Sequence, residues 1–246
     1  MTESDNSIKR CRKAILITLG IFLLFWIGHN LTVVLGAETI TEGNIADVIA
    51  DRYQECGKVL AIVIPNIYAI LFYYIFGLGD AHVILRYGRR KYEKIETLKM
   101  FISSVIFVFE YFLVDIVFMT FFGGIKLLTA TSYYQFIILE FIMMTFYIYL
   151  IGMTLYFLRN FMKFNRMYML CGAVIYSLSG ILYYVFFKEF SPAFYMNFST
   201  EWFNYHSFDS FTYIINLAKL FFASLILKYL GELVFLRRDI LGNEEN

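Results

Sequence analysis

Apolar residues run almost unbroken for about twenty positions at a time along this chain, and short polar clusters separate the runs. Six such runs stand out: residues 14–36, 59–79, 100–122, 133–157, 167–187 and 211–236. A helix rises about 1.5 Å per residue, so each run can cross the roughly 30 Å hydrocarbon core of a bilayer, where an open backbone amide finds no partner. The pattern predicts six transmembrane helices in one all-α polytopic membrane domain over residues 1–246. The sixth run is the least clean, since Lys219, Lys228 and Glu232 interrupt it. Its last turns are placed in the cytoplasmic headgroup layer, where lysine can snorkel. The first run follows Lys9, Arg10, Arg12 and Lys13, as a signal peptide's core would. Such a core is usually about 7–15 residues long, so this run is expected to stay as a span.

Lysine and arginine between the runs set the expected orientation, because positive segments are retained on the cytoplasmic side. The N-terminal stretch is basic, and so are the second connection (Arg86, Arg89, Arg90, Lys91, Lys94, Lys99), the fourth (Arg159, Lys163, Arg166) and the C-terminal stretch (Arg237, Arg238). The first, third and fifth connections hold only Arg52, Lys58, Lys126 and Lys188, and the first is acidic at Glu38, Glu42, Asp47, Asp51 and Glu55. This alternation predicts both termini in the cytoplasm.

Composition narrows the function classes. Of 246 residues, 60% are hydrophobic and 17% charged, which does not fit a soluble chain. With 28 Phe, 20 Tyr and only 2 Pro, a large disordered region is also excluded. A formal net charge of +1 lacks the dense basic face a nucleic-acid binder needs. Cys11, Cys56 and Cys171 lie far apart and have neither zinc-knuckle nor paired-disulfide spacing. No G-x-x-x-x-G-K-[ST], H-E-x-x-H or G-x-S-x-G string occurs. His29, His82 and His206 fall in three different segments, so no metal centre and no catalytic residue are expected, and any ATP hydrolysis belongs to another chain.

Charges inside the runs are the exceptions, since an ionised group in hydrocarbon costs several kcal/mol unless paired or wetted. Glu110, Asp115, Glu140 and Lys219 are the intramembrane polar candidates for a translocation path. Asp115, Glu140 and Lys219 fall at similar depths, about 10 Å from the outer end of their spans, so an ion pair between helices is sterically feasible. Glu110 and Asp115 are about 140° apart around one helix and are not expected to face one partner. A structural ion pair, a water-lined substrate path and a catalytic carboxylate are the three readings of this set.

Two connections carry more than topology requires. Residues 80–99 mix six basic side chains with Val83, Ile84, Leu85, Tyr87, Tyr92, Ile95 and Leu98. They read either as a short amphipathic helix whose apolar side faces the membrane domain or as a basic loop on anionic lipid. Residues 188–210 are expected outside and are dense in aromatics, among them Phe190, Phe194, Tyr195, Phe198, Trp202, Phe203, Tyr205 and Phe208. They read as an interfacial belt or as a re-entrant element capping an outer cavity.

The layout as a whole resembles the permease subunit of type-2 ABC exporters. The resemblance rests on six spans, the basic string Ile84-Leu85-Arg86-Tyr87-Gly88-Arg89-Arg90-Lys91, the aromatic segment before the sixth span, and the closing Phe235-Leu236-Arg237-Arg238-Asp239-Ile240. It is nearest to small Gram-positive permeases for bacteriocin, lantibiotic or toxic-peptide export and self-immunity. The resemblance implies a plasma-membrane protein that acts as a homodimer or heterodimer of permease subunits with two copies of a separate ATPase holding ATP and magnesium. It also implies that residues 81–99 form a coupling helix, with Arg86, Tyr87, Gly88, Arg89, Arg90 and Lys91 at the ATPase contact. The stretch before Ala14 would be an interfacial amphipathic helix, but residues 1–13 have only Met1, Ile8 and Cys11 as apolar members, which argues against a long one. A membrane-embedded enzyme using the intramembrane carboxylates and a non-transporting immunity or sensor protein are the rival expectations.

Overall fold

The computed structural model describes residues 3–36, 41, 43–76, 88–162, 167–186, 192–196 and 198–237. All secondary structure among them is helical. Helix α1 (Glu3–Phe25) passes through a π-helical turn (Trp26–Asn30) into α2 (Leu31–Gly36), forming one rod. There follow α3 (Ile45–Phe76), α4 (Arg89–Gly123), the short α5 (Ile125–Ala130), α6 (Tyr133–Phe161), α7 (Met167–Phe186), a 3-10 turn (Phe194–Met196), α8 (Ser199–Phe203) and α9 (Ser210–Arg237).

Among the described residues, four helical stretches are long and apolar enough to cross a membrane: Cys11–Gly36, Arg89–Gly123, Tyr133–Phe161 and Ser210–Arg237. They coincide with the first, third, fourth and sixth runs. The second and fifth runs are also helical, with shorter apolar stretches at Ala61–Phe76 and Met167–Leu178. Large apolar side chains face outward along these helices: Phe121 is 80% exposed, Leu24 73% and Phe211 71%. In water such a surface would be strongly unfavourable, whereas lipid tails solvate it at no cost.

Cross-helix contacts give each helix its direction. Thr18 meets Glu110 and Trp26 meets Phe118, so α1 and α4 run parallel. Tyr133 meets Asp115 and Arg159 meets Glu96, so α6 runs against α4. Tyr68 bonds Ser103 and Ser104 while Ile45 lies beside Gly123, setting α3 against α4. Asn66 bonds Ser177 while Phe72 touches Tyr168, which sets α7 against α3. Tyr213 reaches Leu139, Phe221 packs on Phe146 and Asn160 reaches Gly231, so α9 runs parallel to α6. Successive long helices therefore alternate, the up-and-down course that the charge pattern predicts.

The bundle is organised around α6, which packs on α3, α4, α7 and α9. Of its most apolar stretch 72% is buried, against 11% for the peripheral α9. What lets α9 approach is Gly231: a Cβ built there would stand 2.8 Å from two ring carbons of Tyr156, itself fully buried. Gly231→Ala is therefore expected to destabilise the bundle by about 1–3 kcal/mol of overpacking, less the roughly 1 kcal/mol that alanine gains over glycine within a helix. Thermal unfolding in detergent checks this, and a variant as stable as the parent would show that the Tyr156 ring can move aside.

Two expectations about helix boundaries are corrected. The chain is already helical at Glu3 and continues unbroken into the first span, so the N-terminal stretch extends that span and is not a separate interfacial helix. Likewise residues 89–99 form the first turns of the 35-residue α4 and do not make a short helix of their own. Gly88, at φ 78°, supplies the left-handed backbone from which α4 starts. The side of these turns facing the bundle is only partly the apolar one: Tyr92 is buried, but Glu93, Glu96 and Thr97 are buried with it, while Leu98 is 60% exposed.

Candidate functional site

The side chains on the buried side of α4's first turns meet the ends of three other helices. Arg89 donates from Nη1 to the Leu236 carbonyl at 3.0 Å, satisfying one of the acceptors that the end of α9 leaves open. One position of the next turn reinforces this, as the Tyr92 ring stacks on Phe235 with centroids 5.8 Å apart. Deeper, the Tyr92 hydroxyl donates to Glu96 Oε1 at 2.5 Å. Glu96 in turn receives Arg159 of α6 in a two-pronged pair, Nη2 to Oε2 at 2.5 Å and Nη1 to Oε1 at 3.3 Å. Arg159 also donates to the Phe76 carbonyl at the end of α3, at 2.9 Å, and lies over the Tyr156 ring at 5.3 Å. A fully buried guanidinium is tolerable only because the carboxylate, the carbonyl and the ring replace its water. The result is a polar network from Tyr92 through Glu96 and Arg159 to the Phe76 carbonyl that joins α4, α6 and α3, with Arg89 and the Tyr92 ring holding the end of α9 beside it.

Of the predicted coupling residues, Gly88, Arg89, Arg90 and Lys91 lie at this end, with Gly88, Arg90 and Lys91 exposed and Arg89 half-buried. Arg86 and Tyr87 lie outside the described residues, as does Arg238 of the closing string. Arg159 and Glu96, the centre of the network, had been assigned to the basic flanks by sequence alone. A signal was present for Arg159: it stands within Tyr156-Phe157-Leu158-Arg159-Asn160-Phe161-Met162, an apolar setting no solvated loop charge requires.

The intramembrane candidates do not converge. Glu110 on α4 accepts the Thr18 hydroxyl of α1 at 2.5 Å, and its second oxygen is buried with no hydrogen-bond partner among the described residues. Asp115 accepts the Trp26 indole N–H at 2.9 Å and the Tyr133 hydroxyl at 2.6 Å. Both carboxylates thus reach the first rod, Glu110 at Thr18 and Asp115 at Trp26, each with partners of its own. Asp115 lies in the seam of α1, α4 and α6, and the long indole closes the angular gap. Indole and phenol suit that place, as each carries one donor on a large apolar body.

The feasible ion pair between Glu140 and Lys219 is not formed. Lys219 is exposed on α9, where its ammonium lies 3.2 Å from Asn216 Oδ1 and 5.0 Å from the centre of the Tyr195 ring. Glu140 is 1% exposed on α6, and its Oε2 has no partner among the described residues. No group of three or more His, Cys, Asp and Glu side chains gathers in a metal-binding arrangement among the described residues.

At the opposite end of the bundle from Arg89, the described part of the aromatic segment folds back onto α6. Phe136 meets Phe198 at 5.2 Å, Phe203 at 4.9 Å and Trp202 at 6.4 Å, and α8 also packs on α3. This segment closes that end of the bundle, burying Ala193, Met196, Phe198 and Phe203. Comparison of the chain with protein-family models, with curated proteins and with solved structures finds no match in any of the three.

Proposed function

We propose that this chain is the membrane-spanning permease subunit of an ATP-driven exporter. It crosses the plasma membrane six times with both termini inside, pairs with a second permease subunit, and works with two copies of a separate ATPase that bind ATP and magnesium. The cargo is an amphipathic peptide or similar hydrophobic molecule, moved by alternating access at the permease dimer interface. The resemblance in layout motivates the reading, and the network at the basic end is the observation that carries it. A force applied to the exposed start of α4 meets no slack there. It passes through Arg89 to the end of α9, and through Tyr92, Glu96 and Arg159 to the ends of α6 and α3. Stiff coupling between a cytoplasmic contact and four helix ends is what a motion-transmitting subunit needs, since a packed bundle changes state by shifting whole elements.

Affinity purification of the chain in mild detergent, with mass spectrometry and an ATPase assay, tests the reading. A P-loop subunit should co-purify in stoichiometric amount. Two variants then separate docking from transmission. Arg90, being exposed, should matter for contact: Arg90→Glu is expected to weaken ATPase association by about tenfold or more, because a charge reversal at an interface costs several kcal/mol. Arg89→Gln should leave the ATPase bound and reduce its stimulation, because the clamp on Leu236 is lost. An ATP-silent chain that purifies alone from several mild detergents sinks the proposal, and normal coupling in both variants sinks the assignment of its contact.

A further inference from the structure

A cavity of about 100 Å³ opens between the folded-back aromatic segment and the start of α9. Its walls include Tyr195, Phe198, Phe208 and Tyr213, and its polar lining includes the carboxylates of Glu201 and Asp209. Three of the rings form a mutual cluster: Phe198 to Phe208 at 5.5 Å, Phe198 to Tyr213 at 5.6 Å and Phe208 to Tyr213 at 5.7 Å. Aromatic faces are negative and carboxylates more so, which makes the lining attractive to an organic cation and unattractive to an anion.

The chain itself supplies a cation to one of these walls. Lys219 holds its ammonium 5.0 Å above the Tyr195 ring and bonds Asn216, which also lines the cavity. A second observation lies beneath. Tyr213 donates its hydroxyl to the Leu139 carbonyl at 2.8 Å, and its neighbour in sequence terms on α6 is the buried Glu140, whose Oε2 has no partner among the described residues. The two rim carboxylates differ in what they are free to do. Asp209 is engaged: it accepts the Phe211 N–H at 2.9 Å and the Thr212 hydroxyl at 2.5 Å, capping α9, and these bonds hold its carboxyl below the ordinary range. Glu201 is exposed, and its side chain is the one a ligand can recruit.

We infer that this cavity binds the guanidinium or ammonium group of a cationic amphiphile arriving from that side of the membrane, with the Phe198, Phe208 and Tyr213 rings as the aromatic walls and Glu201 as the counter-charge. The cation enters on the Glu201 side, away from the Lys219 ammonium that already covers Tyr195, and the apolar part of the ligand lies along the outward-facing Phe211 and Ile214 of α9, which are 71% and 61% exposed. A second cavity, of about 240 Å³, lies beyond Phe208 and is lined by Trp202 and His206, so the rest of an extended ligand has room on the other side of that ring. The inference deepens the exporter reading by giving its cargo a charge, and it rests on that reading only for the word cargo, since binding can be measured without transport.

The test uses the full chain in nanodiscs of zwitterionic lipid, so that the membrane itself does not attract the probe. The probe is a short, dye-labelled amphipathic peptide carrying arginine, compared with the same peptide carrying neutral citrulline, with binding read by anisotropy. The arginine peptide should bind saturably, with the citrulline peptide about tenfold weaker, a difference in the range of one partly desolvated cation–π contact plus one charge pair. Glu201→Gln and Phe208→Leu should each weaken the arginine peptide by about threefold to tenfold and leave the citrulline peptide unchanged. Equal binding of the two peptides overturns the inference, as does arginine-peptide binding that neither substitution alters. Co-purification of the ATPase is scored on the same preparations. An ATPase that associates with a chain blind to arginine would leave the exporter reading and remove the cation site. A chain that binds arginine peptide without any ATPase would do the reverse.

Discussion

Arg159→Met is expected to destabilise the protein by about 3–5 kcal/mol, the cost of removing one partner from a buried ion pair. The reason is the state in which the others are left. Glu96 keeps the Tyr92 hydroxyl but loses its counter-charge, and the Phe76 carbonyl at the end of α3 loses the donor that replaced water. Arg159→Lys keeps the charge but not the fork, so it cannot bond both oxygens of Glu96 and the carbonyl together, and it should fall between the parent and the methionine variant. The decisive comparison is the double substitution Glu96→Met with Arg159→Met. If the pair is held together chiefly by mutual need, removing both charges should recover most of the loss, since apolar replacements of buried pairs are often neutral. Thermal or denaturant unfolding in a fixed detergent measures all three. A single variant as stable as the parent would show that water reaches the site, and a double variant no better than the single would show that the network's geometry matters more than its charge balance. The exporter reading adds a further expectation: the double variant should fold yet transmit poorly, because α3 and α6 would no longer be tied to α4 at the basic end, although Tyr68 and Tyr133 still join them deeper in the bundle.

What could be read from the sequence was the course of the chain. Unbroken apolar runs mark where helices lie, and their number and spacing imply alternating courses; the paired contacts Thr18–Glu110 with Trp26–Phe118 and Tyr133–Asp115 with Arg159–Glu96 show that alternation of one helix relative to the next. What could not be read was which side of each helix faces inward. In a soluble helix the apolar side is the buried one, but in lipid both sides are apolar and the informative residues are the few polar ones. That inversion explains the error at residues 89–99, where Tyr92 faces the bundle as expected but Glu93, Glu96 and Thr97 join it there and Leu98 does not. It also explains Arg159, which a count of flanking charges treats as solvated although it has no exposed surface. Depth along a span predicted that Glu140 and Lys219 could meet; the angle around the helix, which depth does not contain, keeps Lys219 outside against Tyr195. For the aromatic segment, composition required cover from water but could not name the cover, which is the end of α6 at Phe136.

Glu140→Leu is expected to raise stability by about 1–3 kcal/mol, the penalty of burying a polar group whose hydrogen bonds are unmade. The residue is 1% exposed on the most buried helix of the bundle, and Oε2 finds no partner among the described residues. An ionised carboxylate there is costly, and a protonated one still carries a hydroxyl with nothing to receive it. Leucine has a similar reach, so the substitution trades an unsatisfied polar group for an apolar one without opening a large cavity. Glu140→Gln is the control: it keeps the shape and the unmade bonds and should change stability by less than about 1 kcal/mol. A group retained at a cost to folding is retained for use, because proteins give up stability at working sites. The leucine variant should therefore unfold at a higher temperature and bind the arginine peptide less well than the parent, as the negative charge or dipole beneath Tyr213 is gone. Unfolding and peptide anisotropy, measured on the same nanodisc preparation, decide between the two roles. A leucine variant less stable than the parent would mean that Glu140 is a packing element with a partner of its own, and one that is more stable but binds peptide unchanged would confine the cation site to Glu201 and the rings above it.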